Sequence, residues 1–534
     1  MKYVDQSGAL LADYPDYLRD ESRVAASTAE AIAWPESEAD VIAALGRARE
    51  HGWPVTVSAA RTGIVAAAVP LCGGMIISTE RFNAITGFAF DEPSGEWRLI
   101  AQPGVLISSI EEALDSVFAQ HGDALSPAAR AAAASAAQQG IHLFYPPDPT
   151  ETTATLGGTV ATNASGARTF RYGATRAWVS RIRVVLADGA VLNIPRSFVS
   201  ARGGTKINIP GECFVTKPIR KYEISVPAYS MPDTKHCAGY YRASETDLID
   251  LFIGSEGTLG IITEIEVALR ARTHERLSVT AFFGSEDDAF RFVQAIREAI
   301  AARTLDAEAI EYFGRTALEL LRTRRAEGDW QIAAIPDAAA AVYLELAFPS
   351  EAMDAVFELL DQHLRCCNSS TESAWAGTEE AEIQKMKTVR HAVPEIINQI
   401  IGERKRSVPS LHKIATDLAV PDNQFDALMR FYHEELDNAG LEHVIFGHIG
   451  NNHLHVNMLP RTEAELGKAK ELYRLFAGKA IEFGGTVAAE HGIGRLKKEF
   501  LAMLYGTEGI DQMRAVKRAL DPDMILGRGV LFEP

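Results

Sequence analysis

Apolar residues recur at helical spacing through 36-ESEADVIAALGRAR-49, and Pro35 stands at the start of that run, so the pattern predicts a helix with a proline at its entrance. A β-branched stretch from Trp53 to Ser58 predicts a strand, and a small-residue loop from Ala59 to Pro70 follows it. Residues 126–139 are alanine-rich and predict another helix. From Tyr145 to Gly189 the chain is dense in Gly, Thr, Asn and Pro, interrupted by a strand signal at Ile182 to Leu186 and a turn at Asp188-Gly189. The glycine-rich 254-GSEGTLGIITEIEV-267 runs into a strand instead of opening a helix, so it fails the context test for a dinucleotide-binding βαβ unit. From about residue 274 onward amphipathic helices alternate with short strands, which predicts a second, α+β domain. Asp511 to Leu520 predicts a helix stopped by Asp521-Pro522. No internal repeat or low-complexity tract is visible.

A chain of 534 residues is too long for one core and implies two or three domains. The formal charge of −18 argues against broad affinity for nucleic acid or anionic membranes. Residues 196–242 run against that trend, with Arg196, Arg202, Lys206, Lys217, Arg220, Lys221, Lys235 and Arg242 facing only Glu212, Glu223 and Asp233. Such a patch could dock an acidic partner or touch a membrane surface; the simpler expectation is an ordinary solvated loop. The five cysteines contain no CxxC pair, which argues against an iron–sulfur cluster or a cysteine-rich zinc site and fits a reducing compartment. Adjacent Cys366 and Cys367 read as helix packing. No basic, then apolar, leader opens the sequence, and the apolar run Gly63 to Ser78 is broken by Pro70 and Gly73-Gly74. The expectation is a cytoplasmic protein, with contact at the inner membrane face left open.

Two features carry chemistry. The loops 58-SAARTGIVAAAVPLCGG-74 and 145-YPPDPTETTATLGGTVATNASGARTFRYGATRAWV-179 are built from small residues whose amides can converge on an anion. The second feature is 446-FGHIGNNHLHVN-457 with 488-AAEHGIG-494. Period-two geometry puts His453, His455 and Asn457 on one strand face, and His448 ends the incoming strand. Two imidazoles and the Glu490 carboxylate would leave an open coordination position, as catalytic metal sites do. On the residues alone, this cluster is equally a metal site or buried packing.

These motifs occur in a distinctive order: PPDP…TLGGTVATNASG…RYG, GSEGTLGIIT, GHIGNNHLHVN and EHGIG. In that order the chain resembles the vanillyl-alcohol oxidase/p-cresol methylhydroxylase-type flavoproteins, and within them the D-lactate, glycolate and D-2-hydroxyglutarate dehydrogenase branch. The resemblance spans roughly residues 30–534. It implies an α+β fold: a two-subdomain FAD-binding domain over 1–272, an α+β cap with an antiparallel sheet over 273–487, and a C-terminal helical segment, 488–534, returning to the first domain. It also implies that the two loops wrap the FAD pyrophosphate through Arg61, Thr62, Gly63, Pro147, Asp148, Gly157, Gly158, Asn163, Ser165, Gly166 and Gly173. Glu256, Gly257, Gly260 and Ile261 would line the flavin. The first loop holds no histidine, so the FAD is expected to be non-covalent. It also carries Ala59, Ala66 and Ala67 where relatives have glycine; a left-handed conformation at any of them costs about 1–2 kcal/mol.

By the same resemblance His448, His455 and Glu490 ligate a divalent metal, zinc first and manganese or iron next. His453 ranks below them as an extra ligand, because relatives read HIGDGNLH where this chain has Asn451, Asn452 and His453. His491 is implied as general base. Arg390 and Lys413 would hold a substrate carboxylate, with Asn457 beside them. The implied activity is oxidation of a D-2-hydroxy acid to the 2-oxo acid. The expected acceptor is a quinone, a cytochrome or an electron-transfer flavoprotein, and a homodimer is left open. Three alternatives stand: a transferase like alkyl-dihydroxyacetone-phosphate synthase, an oxygen-using oxidase of the same superfamily, and a non-catalytic subunit that has lost FAD.

Overall fold

The computed structural model describes residues 1–120, 127–201, 205–216, 220–272, 275–328, 330 and 332–534. The helix expected over 36–49 runs Glu38–Glu50, and the Ser37 hydroxyl accepts from the Asp40 amide at its entrance. Glu38 and Asp40 lie in its first turn and Arg47 and Arg49 in its last, matching the helix dipole. Val41, Ala44, Leu45 and Ala48 bury its inner face against Ala31, Ala33, Met75 and Ile77. Those partners belong to a small sheet ordered Lys2–Val4, Ala31–Trp34, Met75–Ser78, Val55–Ser58, whose last three strands are parallel.

A second, antiparallel sheet is built around the long strand Ile261–Arg272. Glu96–Ala101 pairs on one side of it and Val179–Val185 on the other, with Ile85–Asp91 and Val191–Pro195 outside them and His142–Phe144 at its far end. The glycine-rich segment therefore does deliver a strand, as its pattern predicts. The alanine-rich stretch forms the helix Pro127–Gln138.

Beyond residue 274 seven antiparallel strands form one sheet. Their order is Trp375–Gly377, Glu275–Phe283, Ala340–Phe348, Ala307–Gly314, His443–His448, His453–Met458 and Ile414–Ala415. Both faces are covered, which explains its nearly unbroken apolar strands. Val342 and Leu344 pack with Phe292 and Leu428 on one side, whereas Ala341 and Tyr343 pack with Leu318 and Ile396 on the other.

The last helix, Lys498–Leu520, contains the expected 511–520 stretch and is two helices meeting at Gly506, whose φ of 67° needs a glycine. Beyond it the chain returns to the first sheet: the Val55 amide donates to the Ile525 carbonyl at 2.7 Å, and the Gly527 amide donates to the Val55 carbonyl at 2.8 Å. Buried Lys517 secures this return, donating at 2.8 Å to the carbonyls of Thr258 and Leu526 and to Asp521.

The basic stretch 196–242 departs from expectation. It is not a plain solvated loop: Arg196 donates to Asp250, Lys206 to Glu223 and Arg220 to Asp188, and Lys235 is buried. Few acids lie near these cations in sequence, but in the fold most of their partners come from distant elements. Arg202 and Lys217 lie outside the described residues. Cys367 is buried at the end of the helix Met353–Cys366, while Cys366 is exposed.

Lys517→Met should strand the buried Asp521 carboxylate and cost about 3–5 kcal/mol, the usual penalty for breaking a buried pair. Denaturant unfolding of the variant should show it.

Candidate active site

The strands His443–His448 and His453–Met458 form a hairpin, in register with His448 opposite His453 and Phe446 opposite His455. Its turn is held by Arg297, which donates to the carbonyls of Ile449 and Gly450 and to the Asn452 side chain. Asn452 takes the left-handed conformation that ends the turn (φ 52°). This geometry points three imidazoles into one space. Donor atoms of His448, His453, His455 and Glu490 all lie within 4.8 Å of one another. Glu490 sits 3.3 Å from His448 Nε2, 3.3 Å from His455 Nε2 and 3.8 Å from His453 Nδ1. Hence His453 stands with the expected trio.

The donor chemistry of this set fits a divalent transition metal. His453 is fully buried. Its Nε2 lies 3.2 Å from Asp417 Oδ1, yet neither ring nitrogen has hydrogen-bond geometry to any partner. Burial pushes its pKa down to about 3, keeping the ring neutral. The other imidazoles are oriented from behind, as metal-binding histidines usually are. His448 Nδ1 lies 2.6 Å from Glu311, and His455 Nδ1 lies 3.0 Å from the Thr416 carbonyl. Burial opposes a charged His448, but Glu311 and Glu490 outweigh it and raise its pKa to about 9. A metal taking up His448 Nε2 must therefore displace a proton.

Four residues at this centre were not singled out in the sequence. Glu311 joins His448 to Arg390, whose Nε donates to it at 3.1 Å. Lys235, from the basic insertion, donates to Glu490 Oε2 at 2.7 Å. Asp417, fully buried, accepts the amides of Glu490 and His491 at 3.1 Å each and the Lys497 ammonium at 2.8 Å. Burial alone would raise its pKa, but His491 and Lys497 hold it well below the usual carboxylate range. His491 lies 3.6 Å from Asp417 and 3.4 Å from Glu490 and stacks on His455. Asp417 lies four residues beyond Lys413, but no local pattern marks it as buried. Glu311 and Lys235 had no signal beyond being charges in apolar or basic runs.

Lys413 precedes the edge strand Ile414–Ala415, which pairs with Met458 and Asn457. It has no anionic partner among the described residues, and burial lowers its pKa to about 8. Asn457 is buried two residues beyond His455. Of the expected carboxylate anchors, Arg390 reaches the cluster through Glu311 and Asn457 donates to the His455 carbonyl, and none of the three lines the cavity beside the cluster.

A cavity of about 390 Å³ opens beside the cluster. Both glycine-rich loops line it, through Arg61, Thr62 and Gly63 and through Gly157, Gly158 and Ser165. Glu256, Gly257, Gly260 and Ile261 line it from the third segment, and Glu490 and His491 close one end. Five expected cofactor contacts are not brought to this wall: Pro147, Asp148, Asn163, Gly166 and Gly173. Instead they shape the loop behind it. Asp148 accepts the Arg168 amide, and Gly166 packs so closely on Asp148 that a Cβ would come within 1.8 Å of its carbonyl oxygen. Asn163 caps the helix Leu156–Thr162, and Gly173 ends the short helix Thr169–Tyr172. Glu256 both faces the cavity and clamps the C-terminal loop, accepting the amides of Ile493 and Gly494 at 2.8 and 2.7 Å. Burial raises its pKa to about 7.

Comparison with known proteins gives the family. The family "FAD binding domain" matches residues 29–142 and 124–195, and the family "FAD linked oxidases, C-terminal domain" matches residues 273–531. The chain belongs to the vanillyl-alcohol oxidase/p-cresol methylhydroxylase superfamily of FAD-linked oxidoreductases. This flavoprotein is 26% identical to glycolate oxidase subunit GlcD of Bacillus subtilis, over 95% of its own length and 89% of the relative's. It is 27% identical to a D-lactate dehydrogenase of Anaerostipes hadrus (96% and 92%). It is 25% identical to a D-2-hydroxyglutarate dehydrogenase of Stutzerimonas stutzeri (100% and 98%). Among solved structures, alkyldihydroxyacetonephosphate synthase shares the fold, with a TM-score of 0.56 at 16% identity, covering 95% of this chain and 76% of that one. No helix among the described residues is long and apolar enough to cross a membrane.

Of the three loop alanines that stand where relatives have glycine, Ala66 alone takes a left-handed conformation (φ 58°), as Arg61 also does (φ 62°). Relieving that strain with Ala66→Gly should stabilise the FAD-loaded protein by up to about 1 kcal/mol. Ala59→Gly and Ala67→Gly should give no gain, only the entropic cost of glycine. Thermal unfolding of the three variants side by side would reveal the difference.

Proposed function

We propose that this flavoprotein is a dehydrogenase that oxidises a small D-2-hydroxy acid to the 2-oxo acid, with a divalent metal held by His448, His455 and Glu490 and with His453 as a further ligand. One observation carries the reading: the cavity walled by the glycine-rich loops ends on Glu490 and His491, and Glu490 lies 3.3 Å from both His448 and His455. The full-length similarity to glycolate oxidase, D-lactate and D-2-hydroxyglutarate dehydrogenase relatives supports it.

Bound FAD supplies a two-electron acceptor, and a metal on the cluster supplies a Lewis acid that makes a hydroxyl more acidic. The chain's own residues do the rest. Lys413, with no anionic partner among the described residues, is available to a substrate carboxylate, and Arg390, which donates to Glu311 behind His448, is the second cation for the same charge. Asn457, two residues beyond His455, adds a polar group on the same strand. His491 is half-open to the cavity and takes the hydroxyl proton. Asp417 holds the His491 amide and lies within ion-pair reach of its Nδ1, so the imidazolium formed is stabilised without moving. The electrons pass on to a separate acceptor of the quinone, cytochrome or electron-transfer flavoprotein class. A transferase like the synthase whose fold it shares remains the second reading, and it predicts a flavin that hydroxy acids do not reduce.

Anaerobic mixing with D- and L-lactate, glycolate and D-2-hydroxyglutarate decides between them. The D-acid should bleach the flavin, and a chelator should slow that bleaching until zinc or manganese is restored. No bleaching by any of them would defeat the dehydrogenase reading. His491→Ala should lower turnover by about 10²–10⁴-fold, the span of general-base catalysis, with the flavin spectrum unchanged. Lys413 must be protonated to hold an anion. KM should therefore rise above pH about 8, approaching tenfold per pH unit, and Lys413→Met should abolish that rise while raising KM throughout.

A further inference from the structure

Four arginines, Arg171, Arg270, Arg272 and Arg276, line one small cavity of about 70 Å³. It lies where the central strand of the flavin-domain sheet, carrying Arg270 and Arg272, gives way to the first strand of the cap, carrying Arg276. Neighbouring strands complete the wall: Phe144 is paired with Arg270, and Ala347 with Arg276. A single water needs only about 10–15 Å³ of such space, so the cavity has room for several waters or one tetrahedral oxyanion.

The charges do not balance. Glu308 is the one carboxylate in the wall; its Oε1 is shared, while its Oε2 is buried with no hydrogen-bond partner. Tyr172 donates to it at 2.5 Å, and Arg168 and Arg171 approach it at 3.7 and 3.8 Å. Arg171 also pairs with Asp306, and Arg276 reaches the exposed Glu380 at 3.4 Å. Arg270 and Arg272 have no ion-pair partner among the described residues; they lie over aromatic rings, Arg272 4.2 Å from the centre of Phe144 and Arg270 5.9 Å from that of Tyr172. Arg272 Nη1 is buried with no hydrogen-bond partner. Burial, then the charges of Arg168 and Arg276, lower its pKa against the weaker opposing pull of Glu308 and Glu111. An unpaired buried donor costs about 1–3 kcal/mol, more when charged, and in a chain of net charge −18 nothing in the composition favours gathering such cations.

We propose that this pocket is an oxyanion site, taking a phosphate-sized dianion between Arg270 and Arg272 of the flavin domain and Arg276 of the cap. A doubly charged tetrahedral anion offers acceptors to the unpartnered Arg272 Nη1 and to the free guanidinium of Arg270 at once. Its occupant ties the two domains together at the point where the chain passes between them. The site is independent of which hydroxy acid the enzyme uses.

The test is inorganic phosphate titrated into the FAD-loaded protein at constant ionic strength, with chloride as the balancing salt, read by calorimetry and thermal unfolding. Saturable one-site binding is expected, weakened about tenfold or more in Arg272→Gln, as loss of a charge-assisted hydrogen bond predicts. Thermal order should also cross: without phosphate Arg272→Gln melts at or above the wild type, and with phosphate it melts below. Arg270→Gln, at an exposed position that needs no repacking, should show the same weakening. A phosphate response that chloride reproduces, or that both variants retain, overturns the site. So does an Arg272→Gln protein that melts lower than the wild type by the same margin in both buffers, which would make Arg272 a packing residue only.

Discussion

Asp417 is a fully buried carboxylate, and the site is organised around neutralising it. An isolated charge at that depth would cost many kcal/mol, so the fold surrounds it with donors. It receives two backbone amides from the Glu490–His491 turn and an ammonium from Lys497, and His453 stands 3.2 Å away. Each donor comes from a different stretch of chain than Asp417 itself, which follows the edge strand of the cap sheet. Satisfying one charge thus forces the C-terminal segment against the cap and fixes where Glu490 and His491 point.

Glu256 plays the matching part on the flavin side. Its two oxygens take two further amides of the same segment, at Ile493 and Gly494. The EHGIG turn is consequently held by two carboxylates from distant stretches of chain, Asp417 and Glu256, with successive residues assigned to successive jobs: Glu490 to the histidines, His491 to the cavity, Ile493 and Gly494 to Glu256. Glycine at 492 allows this, since its φ of 78° and its approach to the Glu256 carboxylate leave little room for a side chain. A short turn carries both the proposed base and a proposed metal ligand because its backbone, more than its side chains, is what the two domains grip.

Lys235 and Glu311 extend the same logic. Glu490 faces three imidazoles and the Lys235 ammonium, and His448 lies between Glu490 and Glu311. Acid and base alternate outward from the cluster to Arg390, each orienting the next. The insertion that supplies Lys235 looks in sequence like a detachable basic loop, yet it forms one wall of the centre.

The sequence by itself determined the local elements and the inventory of chemistry. Helical spacing gave Glu38–Glu50, the β-branched run gave Val55–Ser58, and period-two alternation placed His453, His455 and Asn457 on one face, because these depend on neighbours a few residues apart. Motif order gave the superfamily and the two loops that line the cavity. Only the tertiary structure decided which charges are buried and what answers them. Glu311, Asp417, Lys235 and Lys497 act through partners 73 to 255 residues away in the chain, and no local pattern encodes a contact of that span. The same holds for the loop: that Ala66 and not Ala59 or Ala67 bears the left-handed strain, and that Asp148 and Gly166 brace the loop from behind, follows from how distant strands set its path. Local geometry is written in short-range sterics; burial and charge pairing exist only once the chain has closed on itself.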